Sequence, residues 1–330
     1  MVWIIFVVSA GIIVLAAVRL AEYGDAIALR TGLGRLFVGA ILIAAATSLP
    51  EVLTTFNAIA QGEANLAAGN LLGSNMFNMA LLAVLDLVFR KRRILRTAAL
   101  KHALSGSLAV LLIGLVVFFI LADIPWQVGW VGGDSLVIML GYLLAVRLLQ
   151  RHQHVASGVA AEAEEIPPGT PSLGVALFGF GLATVALVYV TPWLVRSSAE
   201  IAIITGLGAT FIGTTLVAVV TSLPELVTTL SAARLGADDL AIGNLFGSNL
   251  FNMFALGLSD VFYTSGRFLA VIDPAFVLVG LLGLILTALA LVGNLIRLER
   301  RWGMLEADAL LIGAIYLAGL WLLYQRGITP

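Results

Sequence analysis

Thr47-Ser48-Leu49-Pro50-Glu51 and Thr221-Ser222-Leu223-Pro224-Glu225 are the same five residues in the same order, 174 positions apart. Behind each lies a second shared element at the same offset: Gly69-Asn70-Leu71-Leu72-Gly73-Ser74-Asn75-Met76-Phe77-Asn78 and Gly243-Asn244-Leu245-Phe246-Gly247-Ser248-Asn249-Leu250-Phe251-Asn252. Aligned without a gap, 36–86 and 210–260 are identical at 26 of 51 positions. Chance likeness between apolar helices would match Leu and Ala, not Ser-Leu-Pro-Glu and Gly-Ser-Asn. The correspondence extends upstream to Thr31-Gly32-Leu33-Gly34 and Thr205-Gly206-Leu207-Gly208. The chain is therefore an internal duplication. Each copy sets a carboxylate beside a proline inside a strongly apolar run.

The rest of the composition agrees with a membrane setting. The 330 residues are 61% hydrophobic and 11% charged, where a soluble domain carries about 25% charged residues. A net charge of −1 gives no argument for nucleic acid or an acidic substrate. With no cysteine, disulfides and thiolate metal sites are excluded. The first apolar run, Val2 to Val18, lacks a basic leader and a clear small-residue cleavage site, and it reads as a spanning helix.

A spanning helix needs about 20 mostly apolar residues. Ten such spans are expected, at 2–20, 36–61, 65–89, 98–121, 126–149, 172–195, 210–235, 239–262, 270–294 and 305–324. Threading them alternately puts every basic residue except Arg196, Arg267 and Arg326 on one side. Basic loops stay cytoplasmic. Both termini are then expected outside, in a multi-pass cell-membrane protein. The one sizeable hydrophilic connector, 150–171, reads as a cytoplasmic linker. The expected organisation is an N-terminal five-helix repeat at 1–149, that linker, and a C-terminal five-helix repeat at 172–330. Five is odd, so the second copy enters from the opposite side. The expected fold is an all-α polytopic membrane protein of ten transmembrane helices in two inverted repeats. Inverted repeats with broken helices near the midplane mark secondary transporters, with the site at the repeat interface.

The motif residues suit a hard cation. Pro50 and Pro224 each remove a backbone donor and clash one turn back, so spans two and seven should break, the first at 46–48. Carbonyls freed there survive in a membrane only beside protein or a wet cavity. Thr47, Ser48 and Glu51 are three and four residues apart and share a helical face, as do Thr221, Ser222 and Glu225. Asn70, Ser74 and Asn78 form a stripe on span three, repeated by Asn244, Ser248 and Asn252 on span eight. Asn70, Asn75, Asn244 and Asn249 can equally serve helix packing, and Gly69, Gly73, Gly243 and Gly247 read as sites of close helix approach. A buried ionisable residue costs about 2.5–3.5 kcal/mol on insertion scales, which a chain tolerates where the charge is used. Two carboxylates with hydroxyl, amide and carbonyl oxygens fit Ca²⁺, which takes six to eight oxygens in loose geometry. Absence of Cys, and of His near the motifs, disfavours soft metals. Asp86 and Asp260, also 174 apart, read as capping or ion-pairing residues.

At these residues the chain resembles the cation/calcium exchanger superfamily, specifically prokaryotic Na⁺/Ca²⁺ exchangers. Their two repeats carry a Thr-Ser-x-Pro-Glu and a Gly-Asn-x-x-Gly-Ser-Asn element in this order. The resemblance implies that Glu51 and Glu225 coordinate Ca²⁺. It implies that Ser48, Thr47, Ser222 and Thr221 give hydroxyls to Na⁺, and that the carbonyls of Ala44 and Ala218 face the ions. Ser74, Asn78, Ser248 and Asn252 would complete the sites. The family usually has Gly before each Thr-Ser pair, where this chain has Ala46 and Val220, so the break must rest on the prolines. Some members have Asp where this chain has Asn252, which weighs against K⁺ co-transport. The implied activity is export of Ca²⁺ driven by Na⁺ entry, with Ca²⁺ and Na⁺ as substrates and the lipid bilayer as surroundings. No cofactor, nucleic acid or obligatory protein partner is implied, and no enzyme: the residues offer neither a Ser–His nor a paired-Asp arrangement. Ca²⁺/H⁺ exchange stays open, because buried carboxylates can themselves carry protons. A cation channel or a cation-sensing receptor is a further alternative.

Overall fold

The computed structural model describes residues 1–31, 47–89, 99–156, 169–296, 301–302 and 305–327. Helix α1 (Val2–Thr31) is followed by α2 (Leu49–Ala60), α3 (Ala64–Val88), α4 (Ala99–Ala122) and α5 (Gly133–Ala156). The second half holds α6 (Leu173–Thr205), α7 (Gly208–Thr221), α8 (Leu223–Arg234), α9 (Asp238–Phe262), the short α10 (Phe268–Val271), α11 (Phe276–Ile296) and α12 (Ala307–Gly327). Among the described residues, six helices are long and apolar enough to cross a membrane, or seven with the bent pair α7 and α8 taken as one span. The first part of the expected second span, 36–46, and the loop from Arg90 to Arg96 lie outside the described residues, as does most of the linker.

Several helices depart from the expected spans. α1 and α6 run 30 and 33 residues, about 45 and 50 Å at 1.5 Å per residue, against a bilayer core of about 30 Å. Their polar ends, Arg19 to Arg30 and Arg196 to Glu200, continue the helices where hydropathy alone had ended them. The two lie along each other and expose Val7, Leu15, Phe178, Leu182 and Tyr189 on their outer faces. The fifth span opens instead as a two-residue-per-strand hairpin, Gln127–Val128 against Val131–Gly132, with Gly129 at φ 67 in its turn. A second minimal hairpin pairs Arg301–Trp302 with Leu305–Glu306 ahead of α12. The expected ninth span is interrupted before Pro274, which separates α10 from α11.

The centre of the protein is α3 crossed with α9. Both are polar for membrane helices, and that is why they are inside: α3 buries Asn70, Ser74, Asn75 and Asn78, and α9 buries Asn244, Ser248, Asn249 and Asn252. Around them stand α2, α4, α5, α7, α8, α11 and α12. Close approach is built in by glycine. A Cβ on Gly73 would lie 2.4 Å from the Thr214 carbonyl oxygen, and one on Gly69 2.8 Å from the Thr214 amide nitrogen. α3 thus packs backbone to backbone on α7, and it does so where residues Gly213–Val217 form a π-helical turn. Such turns mark local distortions frequent at functional sites.

At one end of the bundle Asp260 accepts the backbone N–H of Gly132 at 2.6 Å and that of Phe268, the first residue of α10. It thereby ties a hairpin and a short helix to the end of α9. Arg267, bonded to Asp123 and to the carbonyl of Ile124, lies 3.7 Å from Asp134 and closes the same corner.

Candidate ion-binding site

Each Ser-Leu-Pro-Glu element sits where a helix restarts. Ser48 and Ser222 share one backbone conformation, with φ,ψ of −86, 4 and −89, 4, and the following helices begin at Leu49 and Leu223. Proline is tolerated in a helix's first turn, where its missing N–H has no intrahelical partner anyway. Its effect falls on the preceding helix: Pro224 offers no donor to the carbonyl four residues back, that of Val220. The two axes meet at 42°. Val220 itself remains helical, so the bend forms without the glycine usual there. The expected break in the first copy, at 46–48, lies partly outside the described residues. Its visible part places the turn at Ser48.

Ser-x-x-Glu is the sequence of a capping box, in which the serine hydroxyl bonds the N–H three residues on. Neither serine does this: neither hydroxyl caps its own helix. Ser48 Oγ donates instead to Glu225 Oε1 at 3.1 Å, and Ser222 Oγ donates to Glu51 Oε1 at 2.9 Å. The expectation of Ser48 working beside Glu51 on one helical face is corrected here. The serine is the turn residue rather than part of the helix, so face arithmetic does not carry across it, and its partner is the glutamate of the other copy. All four residues are fully buried.

The stripes on α3 and α9 add bonds of two kinds, to the preceding helix and, for Asn78 with Asn249 and Asn252 with Asn75, in reciprocal pairs across the copies. Asn70 Nδ2 donates to the Glu51 carbonyl and to Thr55 Oγ1, both at 2.9 Å, tying α3 to α2. Asn244 Nδ2 reaches Thr228 and Thr229, both at 3.2 Å, tying α9 to α8. Thr221 Oγ1 donates to Asn70 Oδ1 at 2.9 Å, a second link between copies. Ser248 Oγ lies 3.5 Å from Glu225 Oε1, and Ser74 Oγ lies 3.5 Å from the carbonyl of Ala218. That carbonyl also accepts the Ser222 N–H at 3.0 Å. Asn78 Nδ2 donates to Asn249 Oδ1, and Asn252 Nδ2 to Asn75 Oδ1, both at 3.0 Å. Bonds that recur with the two copies exchanged are the mark of a two-fold relation.

The structure therefore brings together Glu51, Glu225, Ser48, Ser222, Thr221, Ser74, Ser248, Asn78, Asn252 and Ala218. Thr47 is buried beside them, and Ala44 lies outside the described residues. Within this cluster four buried oxygens have no hydrogen-bond partner among the described residues: Glu51 Oε2, Glu225 Oε2, Asn78 Oδ1 and Asn252 Oδ1. They form two pairs related by the 174-residue offset. Buried acceptors are normally paired, because an unmet one costs about 1–3 kcal/mol. Four acceptors in one cluster, two of them carboxylate oxygens, suit a cation. Asn75 and Asn249, for which the sequence left both ion binding and helix packing open, use their amides to bond the backbone and side chains of the opposite copy. The duplication itself was the available signal, since a pair related by a two-fold can meet across the axis.

The family described as sodium/calcium exchanger protein matches residues 1–149 and 175–325 of the chain. The sodium/calcium exchanger MaX1 of Methanosarcina acetivorans is 50% identical over 88 residues, which is 26% of this chain and 25% of that protein. Among solved structures, the H⁺/Ca²⁺ exchanger CAX superposes with a TM-score of 0.68 at 14% identity, over 99% of this chain and 89% of its own. The sodium-calcium exchanger NCX_Mj superposes with a TM-score of 0.60 at 23% identity, over 97% of this chain and 99% of its own. At these identities the two structures speak for the fold.

Proposed function

The chain belongs to the sodium/calcium exchanger protein family, and from that premise we propose that it is a secondary active antiporter that exports Ca²⁺ in exchange for entering Na⁺. Membership makes it a multi-pass membrane protein of a Ca²⁺ exchanger family. The choice of Na⁺ as counter-ion is the finer part of the reading. The observation that carries the exchanger reading is the pair of fully buried glutamates, each held at Oε1 by the opposite copy's serine and each with Oε2 unpartnered among the described residues. Glu51 and Glu225 would bind Ca²⁺ between them, their two charges balancing the ion. Hydroxyls of Ser48, Ser222, Thr47 and Thr221 and the carbonyls of Ala218 and Ala44 would serve Na⁺. Ser74, Ser248, Asn78 and Asn252 would complete the sites with neutral oxygen. Ca²⁺ and Na⁺ would compete for the same carboxylates, so occupancy by one excludes the other. That is the minimum requirement for exchange rather than leak.

In this reading the chain has ten spans in two inverted halves joined by the cytoplasmic linker 150–171, with both termini outside. The long pair α1 and α6 slides against the remaining helices, opening the site to each side in turn. The reciprocal hydrogen bonds and the sidedness of the basic residues support this arrangement. Ca²⁺/H⁺ exchange is a second reading, favoured by the same unpartnered carboxylate oxygens, since each can take a proton as well as a metal. One experiment separates the two: Ca²⁺ uptake into reconstituted vesicles, driven by a Na⁺ gradient alone or by a pH gradient alone. Na⁺-driven uptake is expected. Uptake that follows only the pH gradient would replace Na⁺ with H⁺, and Ca²⁺ leak needing neither would indicate a channel.

A further inference from the structure

Resting on the ion-site reading above, we propose that Asn75 and Asn249 are positioning residues that decide which end of the Asn252 and Asn78 amides faces the ions. An asparagine amide has two ends of nearly the same shape and opposite use: the oxygen accepts and attracts a cation, the NH₂ donates and repels one. Half a turn about χ2 exchanges them, and that torsion has two broad wells. A cation site relying on neutral amides therefore needs something to hold the oxygen inward.

Four of the motif asparagines supply it in two steps. Asn75 Nδ2 donates to the backbone carbonyl of Asn249 at 3.4 Å, and Asn249 Nδ2 donates to that of Asn75 at 3.3 Å. A carbonyl can only accept, so the amino ends of these two amides must face the opposite backbone and their oxygens must face away. Asn75 Oδ1 then meets Asn252, and Asn249 Oδ1 meets Asn78. An acceptor in that place obliges Asn252 and Asn78 to present their amino ends to it, which turns their own oxygens the other way. Those are the Oδ1 atoms that have no partner among the described residues, on side chains 1% and 0% exposed. The orientation of the inner pair is thus inherited from the backbone of the α3–α9 crossing through the outer pair. With only two carboxylates in the cluster, a reversed amide would set a donor where an oxygen is required.

The test is a double-mutant cycle on Ca²⁺ binding to the purified full-length protein, read by isothermal titration calorimetry with calcium chloride. Asn75→Leu removes the orienting acceptor. Asn252→Asp places oxygen at both ends of residue 252, so nothing needs orienting there. Asn75→Leu is expected to weaken Ca²⁺ binding by about tenfold in the native background and by under about twofold in the Asn252→Asp background. Equal weakening in both backgrounds, or none in the native one, would overturn the relay, because a packing role does not depend on the chemistry at residue 252. The mirror cycle, Asn249→Leu with and without Asn78→Asp, decides the matter if Asn75→Leu does not fold. Glu51→Gln is titrated alongside. Unchanged Ca²⁺ binding there sinks the ion-site reading itself, whereas lost binding with flat cycles sinks only the relay.

Discussion

Replacing Ser222 with alanine removes one atom, and its consequence can be sized from the structure. Ser222 Oγ donates to Glu51 Oε1 at 2.9 Å with both residues fully buried. A hydrogen bond to a charged group contributes about 1.5–3 kcal/mol net. At 1.4 kcal/mol per tenfold, its loss should raise the Ca²⁺ concentration for half-maximal transport by roughly tenfold to a hundredfold. The effect falls on the ion because the serine fixes Oε1 and so aims Oε2. Without it the carboxylate loses that anchor and must be ordered anew by each ion that arrives. Ser48→Ala acts on Glu225 across 3.1 Å and should shift the curve in the same direction. The assay is Na⁺-driven Ca²⁺ uptake into proteoliposomes over a range of Ca²⁺, normalised to protein that elutes as a single species. A Ser222→Ala curve within about twofold of native would refute the argument, since it would mean that the cross-copy bond does not aim the glutamate.

Glu51→Gln and Glu225→Gln should each abolish exchange while the protein stays folded, because an amide keeps the shape and loses the charge; native-like flux in either variant would remove the glutamates from the site. The chain has no cysteine, so Asn57→Cys with Thr191→Cys, whose native side chains are bonded at 2.8 Å, offers a single pair to crosslink between α2 and α6. Oxidation should stop exchange and reduction restore it, while full activity of the oxidised form would contradict sliding of α6 against α2. Gly73→Ala would set a Cβ 2.4 Å from a backbone oxygen that has no rotamer to retreat into. It should cost about 1–3 kcal/mol as overpacking, read as a lower thermal midpoint; an unchanged midpoint would mean that α3 and α7 are not in contact at that depth.

Much of the site was legible because its chemistry is local. A proline beside a glutamate in an apolar run, twice, identifies a helix restart and a buried charge without any coordinates. The spacing of Asn70, Ser74 and Asn78 then places them on one face of the next helix. What the sequence did not disclose depends on contacts between distant segments. Ser48 belongs with Glu225 because the turn at the helix restart aims its hydroxyl across the copies rather than down its own helix. The π-helical turn at 213–217 has no composition of its own; it is visible only as the surface on which Gly69 and Gly73 lie. Hydropathy ended α1 and α6 too early for a related reason, since a charged residue stops an apolar run but does not stop a helix.

The duplication also separates two kinds of interaction that a single-copy protein would mix. Contacts that recur with the copies exchanged, such as Ser48–Glu225 with Ser222–Glu51, look the same from either side of the site. They hold the centre together, and by symmetry they favour neither side for opening. Asn57–Thr191 and the bond from Gln61 Nε2 to the Pro192 carbonyl at 3.3 Å are different. At the 174-residue offset their positions are Ser231, Leu235, Ala17 and Val18. Neither Leu235 nor Val18 has a side-chain donor or acceptor, and Ala17 cannot answer Ser231 as Thr191 answers Asn57. In a transporter of two inverted halves, an energy difference between the two access states has to come from contacts that are not duplicated, and these two join the long helix α6 to the core on one side only. At about 0.5–1.5 kcal/mol each, two such bonds amount to roughly 1–3 kcal/mol, enough to move a balanced equilibrium by about fivefold to a hundredfold. If the chain is the antiporter proposed above, its centre can be built for the ions and left symmetric, while these two bonds bias the resting orientation from its edge.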